Sequence, residues 1–490
     1  MICIPIVGPT QHKSLEDIAA AEPLADMIEL RLDLMSDFDL GTLLSASTKP
    51  CIVTNRTKRE GGQFSGSEEE RIGLLKQAMA AGAEYVDIET STPKELLKPF
   101  LESDHQSKVI LSYHNYTDTP EEIDRLYDLM CAMPADVLKI VTYARDITDN
   151  LALFEILHRS KKDDKKLIAL CMGEKGEVSR ILSPLLGGFL TFGSLATGKE
   201  TAPGQITGAI LKDIYRVCDK RDSFKIYGVI GNPVYKSMGY LIHNEAFQET
   251  GLTDIYVPFL VDNVEKFFKG FSPYFDGLSV TMPFKEDIMA VMDEIEETAK
   301  KIGAVNTVVR DGKGWKGYNT DCMGALKALE KHTDLKNKNV LIVGAGGTAK
   351  AIGYGVYEKG ARITVTYNRD KEKGIRLGRE LKAKVVSIQE VDKEEIDVLI
   401  NCSPVGMSPN LEETPVSSRC LRKGMVVFDS VYNPIETRLI REAKVAGCVT
   451  ISGVELFVNQ AVGQFELWTG QKAPTDIMRD IVVRGLDGKV

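Results

Sequence analysis

Tryptophan is nearly absent from this 490-residue chain, with two copies, and histidine is scarce at six. No two histidines stand at metal-ligand spacing and no Cys-x-x-Cys occurs, so no metal is expected. The nine cysteines are scattered, with Cys51, Cys171 and Cys402 inside apolar runs. That usage reads as reduced core thiols of a cytoplasmic protein, not as a disulfide framework. No apolar run approaches the ~18 residues of a membrane helix. The chain opens on a strand-like run, Ile2–Val7, without a basic segment and cleavage site, so no signal peptide is expected. Positive charge is in deficit, 61 Lys and Arg against 70 Asp and Glu, a net charge of -9. This balance argues against nucleic acid or an anionic membrane as partner and leaves small molecules. At 43% hydrophobic and 27% charged, the composition is that of an ordinary globular protein long enough for two to four domains. It does not indicate an oligomeric state.

What is present begins with Ala135–Thr142, a short apolar run with Lys139 at its centre. Burying an ammonium costs several kcal/mol unless it is paired or deprotonated. A buried lysine is the usual nucleophile toward a ketone. A strand-end lysine reaching solvent is the ordinary alternative. The rest of the first half argues against it. Strand-like runs recur at Ile2–Val7, Met27–Leu32, Cys51–Asn55, Tyr85–Glu89, Val109–His114, Val137–Thr142, Leu167–Met172 and Phe189–Phe192, with helical patterns between them. About eight βα units in some 220 residues have the rhythm of a TIM barrel; a doubly wound sheet seldom needs so many. Polar groups stand at the carboxyl end of run after run: Glu29 and Arg31, Arg56, Asp87 and Glu89, His114, Lys139, Arg180. A barrel gathers such residues at one mouth.

The segments ELR (Glu29–Arg31), TNRTKREGG (Thr54–Gly62), SYH (Ser112–His114), Lys139 and TAPGQ (Thr201–Gln205) resemble the type I 3-dehydroquinate dehydratases. The resemblance implies an imine between Lys139 and the substrate ketone, with His114 as general acid/base and Glu60 holding it. It places Arg180 and Gln205 on the substrate's carboxylate and hydroxyls. Glu29, Arg31, Arg56 and Thr201 line the pocket, Thr201 keeping a hydroxyl where many relatives have serine. Gln205–Cys218 reads as a closing amphipathic helix. The charged Asp219–Phe224 reads as a linker, giving a first domain of residues 1–222.

After it, strand and helix patterns alternate to about His332. Then the apolar strand Asn339–Val343 runs into Gly344, Gly346, Gly347, Thr348 and Ala349 ahead of a helix. A glycine turn between strand and helix offers backbone N–H groups to a pyrophosphate, although Ala349 stands where a third glycine is usual. The next strand ends in Asn368 and Arg369, about 24 residues after Gly344. Arginine there suits the 2′-phosphate of NADP better than the ribose of NAD. Asp370 opposes that reading and Lys371 and Lys373 offset it, so NADP is favoured and NAD stays open.

GNPVYKS (Gly231–Ser237), SVTMPFK (Ser279–Lys285), GAVNT (Gly303–Thr307), GYNTD (Gly317–Asp321), NCSPVGM (Asn401–Met407), YNP (Tyr432–Pro434) and ELFVNQA (Glu455–Ala461) resemble the shikimate dehydrogenases. The resemblance implies a substrate lobe at 223–332 completed by about 455–490, and a Rossmann-like NADP lobe at 333–454. It makes Lys285 and Asp321 the catalytic pair, with Ser237, Thr281, Asn306, Tyr432 and Gln460 on the substrate and Gly453 beside the cofactor. One stretch departs from the family: Lys236-Ser237-Met238-Gly239-Tyr240 stands where two serines usually bind the carboxylate. Glycine at 239 is expected to open space, which makes quinate an alternative substrate. The reading is therefore a two-headed α/β enzyme that dehydrates 3-dehydroquinate and then reduces 3-dehydroshikimate. A quinate dehydrogenase second half is the alternative, and a non-catalytic metabolite sensor is a remote one.

Overall fold

The computed structural model describes every residue except 104, 220–222, 236, 368–369 and 489–490. Its packing divides the chain into two units, Met1–Ser223 with Phe259–Pro273, and Phe224–Pro258 with Tyr274–Val490.

In the first unit, strands β1 (Ile2–Ile6), β2 (Met27–Arg31), β3 (Cys51–Thr54), β4 (Tyr85–Glu89), β5 (Lys108–His114), β6 (Val137–Tyr143), β7 (Lys166–Met172) and β8 (Thr191–Phe192) alternate with helices. They form one parallel sheet in the order β7-β6-β5-β4-β3-β2-β1-β8. The Phe189 N–H donates to the Leu167 carbonyl at 2.8 Å, bringing the chain before β8 onto β7 and nearly closing the ring. This is the barrel that the eight runs implied. Strands covered on both faces must be apolar nearly throughout, which is why they were legible as runs.

Side chains two residues apart on a strand share a face. Cys3, Met27, Ile52, Tyr85, Ile110, Val137 and Ile168 fill the amino-terminal end of the barrel with an apolar plug. Two residues further along the same face come Glu29, Thr54, Asp87, Ser112 and Lys139, all buried. Arg31, Arg56, Glu89 and His114 follow two residues later. The polar layer thus sits on an apolar floor, at the strands' carboxyl ends.

Two local expectations are corrected. β8 is two residues long, not four. Gln205–Cys218 is not a regular amphipathic helix: Thr207 is drawn into a bridge with Ser194. What remains forms a short turn and the π-helix Ile210–Ile214.

The second unit has two six-stranded sheets. β9 (Ile226–Gly231), β10 (Ile255–Leu260), β11 (Gly277–Val280), β12 (Glu294–Ile295), β13 (Thr307–Asp311) and β14 (Gly314–Tyr318) make a mixed sheet ordered β10-β9-β11-β13-β14-β12. β15 (Asn339–Val343), β16 (Arg362–Tyr367), β17 (Lys384–Ser387), β18 (Val398–Asn401), β19 (Val426–Asp429) and β20 (Val449–Ile451) make a parallel sheet ordered β17-β16-β15-β18-β19-β20. Numbered within that sheet the order is 3-2-1-4-5-6, the dinucleotide-binding arrangement, with its switch point between β15 and β18. The late helix Gly453–Thr469 returns to the mixed sheet, where the Trp468 indole N–H donates to the Val308 carbonyl at 3.0 Å. Among the described residues no helix is long and apolar enough to cross a membrane.

Candidate active sites

The barrel mouth is built on Lys139. It is 5% exposed, its ammonium 2.9 Å from an Asp87 oxygen, 3.6 Å from Glu29 and 4.4 Å from the centre of the Phe192 ring. Lys139 and Ser112 face each other across β5 and β6, and Ser112 faces Glu89 across β4 and β5. That register puts the lysine one strand from a hydroxyl and two from a carboxylate. Arg56, 3% exposed, spans Asp87 at 2.8 Å and Glu89 at 3.1 Å. Burial alone would raise the Asp87 carboxyl, but Arg56 and Lys139 outweigh it and hold the carboxyl below its ordinary range.

His114 closes β5 with its Nδ1 3.0 Å from Glu60. Burial, reinforced by the positive charges of Arg56 and Lys139, holds its imidazole well below the usual histidine range. Glu60 also accepts the Ser91 hydroxyl, and burial pushes its carboxyl up to about 7. The opposite wall carries Arg180. Its Nη2 donates to the Pro203 carbonyl at 3.2 Å, while its Nε is buried with no partner. Burial brings this guanidinium down to about 10. An arginine in that condition calls for an anion. Gln205 accepts the Thr201 N–H at 2.7 Å, so these two act as a pair. Arg31 is forked onto Asp33 at 2.9 and 2.8 Å.

One cavity, about 470 Å³ of space that is partly open to solvent, is lined by Lys139, His114, Arg180, Gln205, Thr201 and Arg56 among others, with Glu29 and Arg31 also on its wall. Glu60 stands behind His114. Tyr116 and Phe192, which line it too, were not singled out from sequence. Tyr116 lies two residues beyond His114, which has the clearer signal.

In the second unit Lys285 lies 2.5 Å from Asp321. Asp321 opens the helix Thr320–Leu329, whose cap is Asn319. Asn306 donates to Thr320 Oγ1 at 3.0 Å and accepts the Thr320 N–H at 2.7 Å, anchoring the start of that helix. Ser237 accepts the Gly239 N–H at 3.2 Å. Thr281 follows β11, its N–H on the Ile230 carbonyl at 3.0 Å. Tyr432 stacks on Phe457 at 4.6 Å, and burial raises its phenol to about 12. Gln460 donates to the Phe457 carbonyl at 3.0 Å, within its own helix. The next turn supplies a residue that the sequence reading missed. Gln464 accepts from Ser279 at 3.0 Å and meets His243 at 3.3 Å and Thr307 at 3.3 Å.

The space expected beside Gly239 is filled. A Cβ built there would lie 2.8 Å from the Tyr256 hydroxyl and 2.9 Å from its ring. That hydroxyl donates to Ser279 at 2.8 Å, and the ring stacks on His243 at 4.5 Å.

For a dinucleotide, the loop after β15 has the right form. Gly344 has φ +110°, and a Cβ there would crowd the Cys402 carbonyl at 3.1 Å. The helix Gly347–Glu358 starts without a side-chain cap, and a Cβ on Gly346 would meet nothing within 4 Å. Uncapped N–H groups facing open space fit a pyrophosphate. Thr348 lies in that first turn, whereas Ala349 is in the apolar core, the packing role of the third glycine. Gly453 is held against the backbone of Val431, which a Cβ would approach to 2.3 Å. Asn368 and Arg369 lie outside the described residues, as does Lys236. Asp370 caps the next helix, accepting the Lys373 N–H at 2.9 Å, with the Lys373 ammonium 3.6 Å away.

Known proteins share both halves. A family model of type I 3-dehydroquinase matches residues 2–222. Models of the shikimate dehydrogenase substrate binding domain, of shikimate / quinate 5-dehydrogenase and of the shikimate 5'-dehydrogenase C-terminal domain match 229–308, 326–438 and 453–483. The chain is 40% identical to the chloroplastic bifunctional 3-dehydroquinate dehydratase/shikimate dehydrogenase of Arabidopsis thaliana, covering 98% of this chain and 84% of the relative. It is 32% identical to the shikimate biosynthesis protein AroDE of Chlamydia pneumoniae, covering 96% and 95%. A crystal structure of a shikimate dehydrogenase in complex with NADP+ is 35% identical with a TM-score of 0.52, covering 55% of this chain and 98% of that one. The chain belongs to the family of bifunctional 3-dehydroquinate dehydratase/shikimate dehydrogenases, a lyase and an oxidoreductase of the shikimate pathway in one polypeptide.

Proposed function

We propose that Lys139 and His114 perform the dehydration and that Lys285 and Asp321 serve the reduction. The observation that carries this reading is the placement of Lys139, buried at a barrel mouth and paired, with a neutral histidine on the adjacent strand. The Lys139 amine adds to the ketone carbon of 3-dehydroquinate, and loss of water leaves a protonated imine. His114 then takes a proton from the carbon next to the imine, whose nitrogen accepts the electron pair as an enamine. The pair returns to expel the neighbouring hydroxyl, protonated by the same imidazole, and hydrolysis of the imine frees Lys139 and 3-dehydroshikimate. Arg180 fits the substrate carboxylate, for its Nε lacks a partner, and Gln205 with Thr201 fits the hydroxyls. Glu29, Arg31 and Arg56 hold the charged frame of the pocket.

In the second unit, Lys285 protonates the ketone oxygen of 3-dehydroshikimate and Asp321 keeps the ammonium oriented. A nicotinamide cofactor, when bound, would supply the hydride that the ketone carbon takes up. Gly344, Gly346, Gly347 and Thr348 are the residues that would receive its pyrophosphate. Ser237, Thr281, Tyr432, Gln460 and Asn306 are assigned to the substrate side. NADP is favoured over NAD, since Arg369 and Lys371 suit a 2′-phosphate while Asp370 is taken up by its own helix cap and by Lys373. Shikimate is favoured over quinate, since the ring of Tyr256 takes the room that Gly239 would have opened. Nine free thiols suit a reducing compartment such as the cytoplasm.

Borohydride reduction in the presence of 3-dehydroquinate, followed by peptide mapping, tests the first half: label on Lys139 is expected, and label elsewhere overturns the assignment. Turnover of shikimate and quinate with NADP and NAD tests the second.

A further inference from the structure

The helix Glu68–Ala80 packs outside the barrel wall, yet it sends one side chain through to the charged layer. Ser67 and Glu70 form a capping box that fixes its first turn. The next residue, Arg71, is 1% exposed. Its guanidinium meets Glu89, itself 1% exposed, and donates to Glu68 at 2.7 Å and to Thr92 at 2.7 Å. A buried arginine on a peripheral helix costs several kcal/mol of desolvation and gives little net stability over an apolar residue. The placement therefore asks for another reason.

Glu89 supplies one. Its second oxygen takes Arg56 at 3.1 Å and the Thr57 N–H at 3.2 Å. Arg56 leads to Asp87, and Asp87 to Lys139. Thr57 opens the loop that carries Glu60, the support of His114. One carboxylate thus steadies both the nucleophile's partner and the base's partner, and Arg71 is the cation that neutralises it from outside. The charges alternate without a break from Glu68 through Arg71, Glu89, Arg56 and Asp87 to Lys139.

We propose that Arg71 is a positioning residue of the dehydratase: by pairing Glu89 it leaves Arg56 on Asp87 and keeps the Glu60–His114 pair in its working state. The inference rests on the reading of Lys139 and His114 given above. Without Arg71, Glu89 draws Arg56 toward itself and adds uncompensated negative charge to the mouth. The groups that face Glu60 and His114 are Arg56 just after β3, Asp87 and Glu89 from β4, Ser91 beyond it, Lys139 from β6 and Arg31 from β2. Extra negative charge among these raises the proton affinity of the pair, so the acid limb of activity moves to higher pH.

The test is the full-length chain with Arg71→Met, Arg71→Lys, and Arg71→Met combined with Glu89→Gln. Arg71→Met is expected to lower dehydratase kcat/KM on the order of 10²-fold. Its acid limb should move up by ~0.5–1 pH unit, a three- to tenfold change in the protonation equilibrium. Arg71→Lys and the charge-neutral double variant should both return the limb toward its original position. Limited proteolysis of each variant beside the wild-type chain reports whether the barrel has folded, and dehydrogenase activity reports the same for the second unit. A lower rate with an unmoved limb, or no rescue by either companion, overturns the proposal. Wild-type protein that borohydride does not trap on Lys139 would instead overturn the reading on which it rests.

Discussion

Two lysines are assigned to ketones by the proposed function, one in each half, and their settings differ. The Lys139 side chain is 6% exposed, touches two carboxylates and an aromatic ring, and belongs to a chain of buried charges. The Lys285 side chain is 16% exposed and has one carboxylate, Asp321. The difference matches the chemistry assigned to each. A nucleophile that forms and breaks a covalent bond needs a dry pocket and neighbours that compensate its charge through several protonation states. A proton donor needs contact with the oxygen it serves, an orienting carboxylate and a route back to water.

Substitution should therefore cost more in the barrel. Lys139→Met is expected to abolish the dehydratase, a loss of ~10⁵-fold or more with no residual imine route. The dehydrogenase of the same chain should be untouched. Lys285→Met should lower the dehydrogenase by about 10²–10⁴-fold, the usual share of one general acid, and leave the dehydratase at full rate. Separate assays on each purified variant check both. Equal losses, or a loss that crosses from one activity to the other, would break the contrast.

The pH dependence should separate the halves as well. Below about 7 the Glu60 carboxyl holds its proton and donates to His114 Nδ1. The ring proton then sits on Nε2, and that nitrogen cannot act as a base. Above this point the carboxylate accepts from Nδ1–H and frees the Nε2 lone pair. His114 itself stays neutral throughout, since burial holds its own titration far lower. Dehydratase kcat/KM should accordingly rise with pH through about 7. Glu60→Gln, which keeps a hydrogen-bond acceptor but does not titrate, should erase that limb and cost on the order of 10²-fold. A limb that survives the substitution would move the titration to another group.

The two sites were also unequally legible in the sequence. The barrel's polar layer could be read strand by strand, because alternation forces Glu29, Asp87, Ser112 and Lys139 onto one face. Nothing similar marks Arg71, since a helix that packs on a barrel carries many charged residues and only packing shows which one turns inward. Gln464 was hidden by its neighbour: Gln460 stands in the recognisable ELFVNQA run, whereas the residue that reaches Ser279 lies one turn later. The π-helix Ile210–Ile214 was missed because a local bridge between Thr207 and Ser194 outweighed the apolar period of the segment. Gly239 shows a different limit. A substitution reads as a gain of space when only the chain position is known, but Tyr256, seventeen residues on, decides whether that space exists.

That last point yields the smallest expected effect. Gly239→Ser would add the hydroxyl that the family resemblance implies at this position, and on open ground it would be neutral or would strengthen shikimate binding. Here the new Cβ meets the Tyr256 hydroxyl at 2.8 Å and ring atoms at 2.9 and 3.1 Å. The ring must tilt, giving up its bond to Ser279 and loosening its stacking on His243, an overpacking cost of ~1–3 kcal/mol. Dehydrogenase thermal inactivation should come several degrees earlier while dehydratase inactivation is unchanged. Tyr256→Phe should not relieve the strain, because the crowded ring atoms remain. Tyr256→Leu should relieve part of it, because they do not. If Gly239→Ser alone leaves the inactivation temperature where it was, the tyrosine does not hold that space and quinate regains its room.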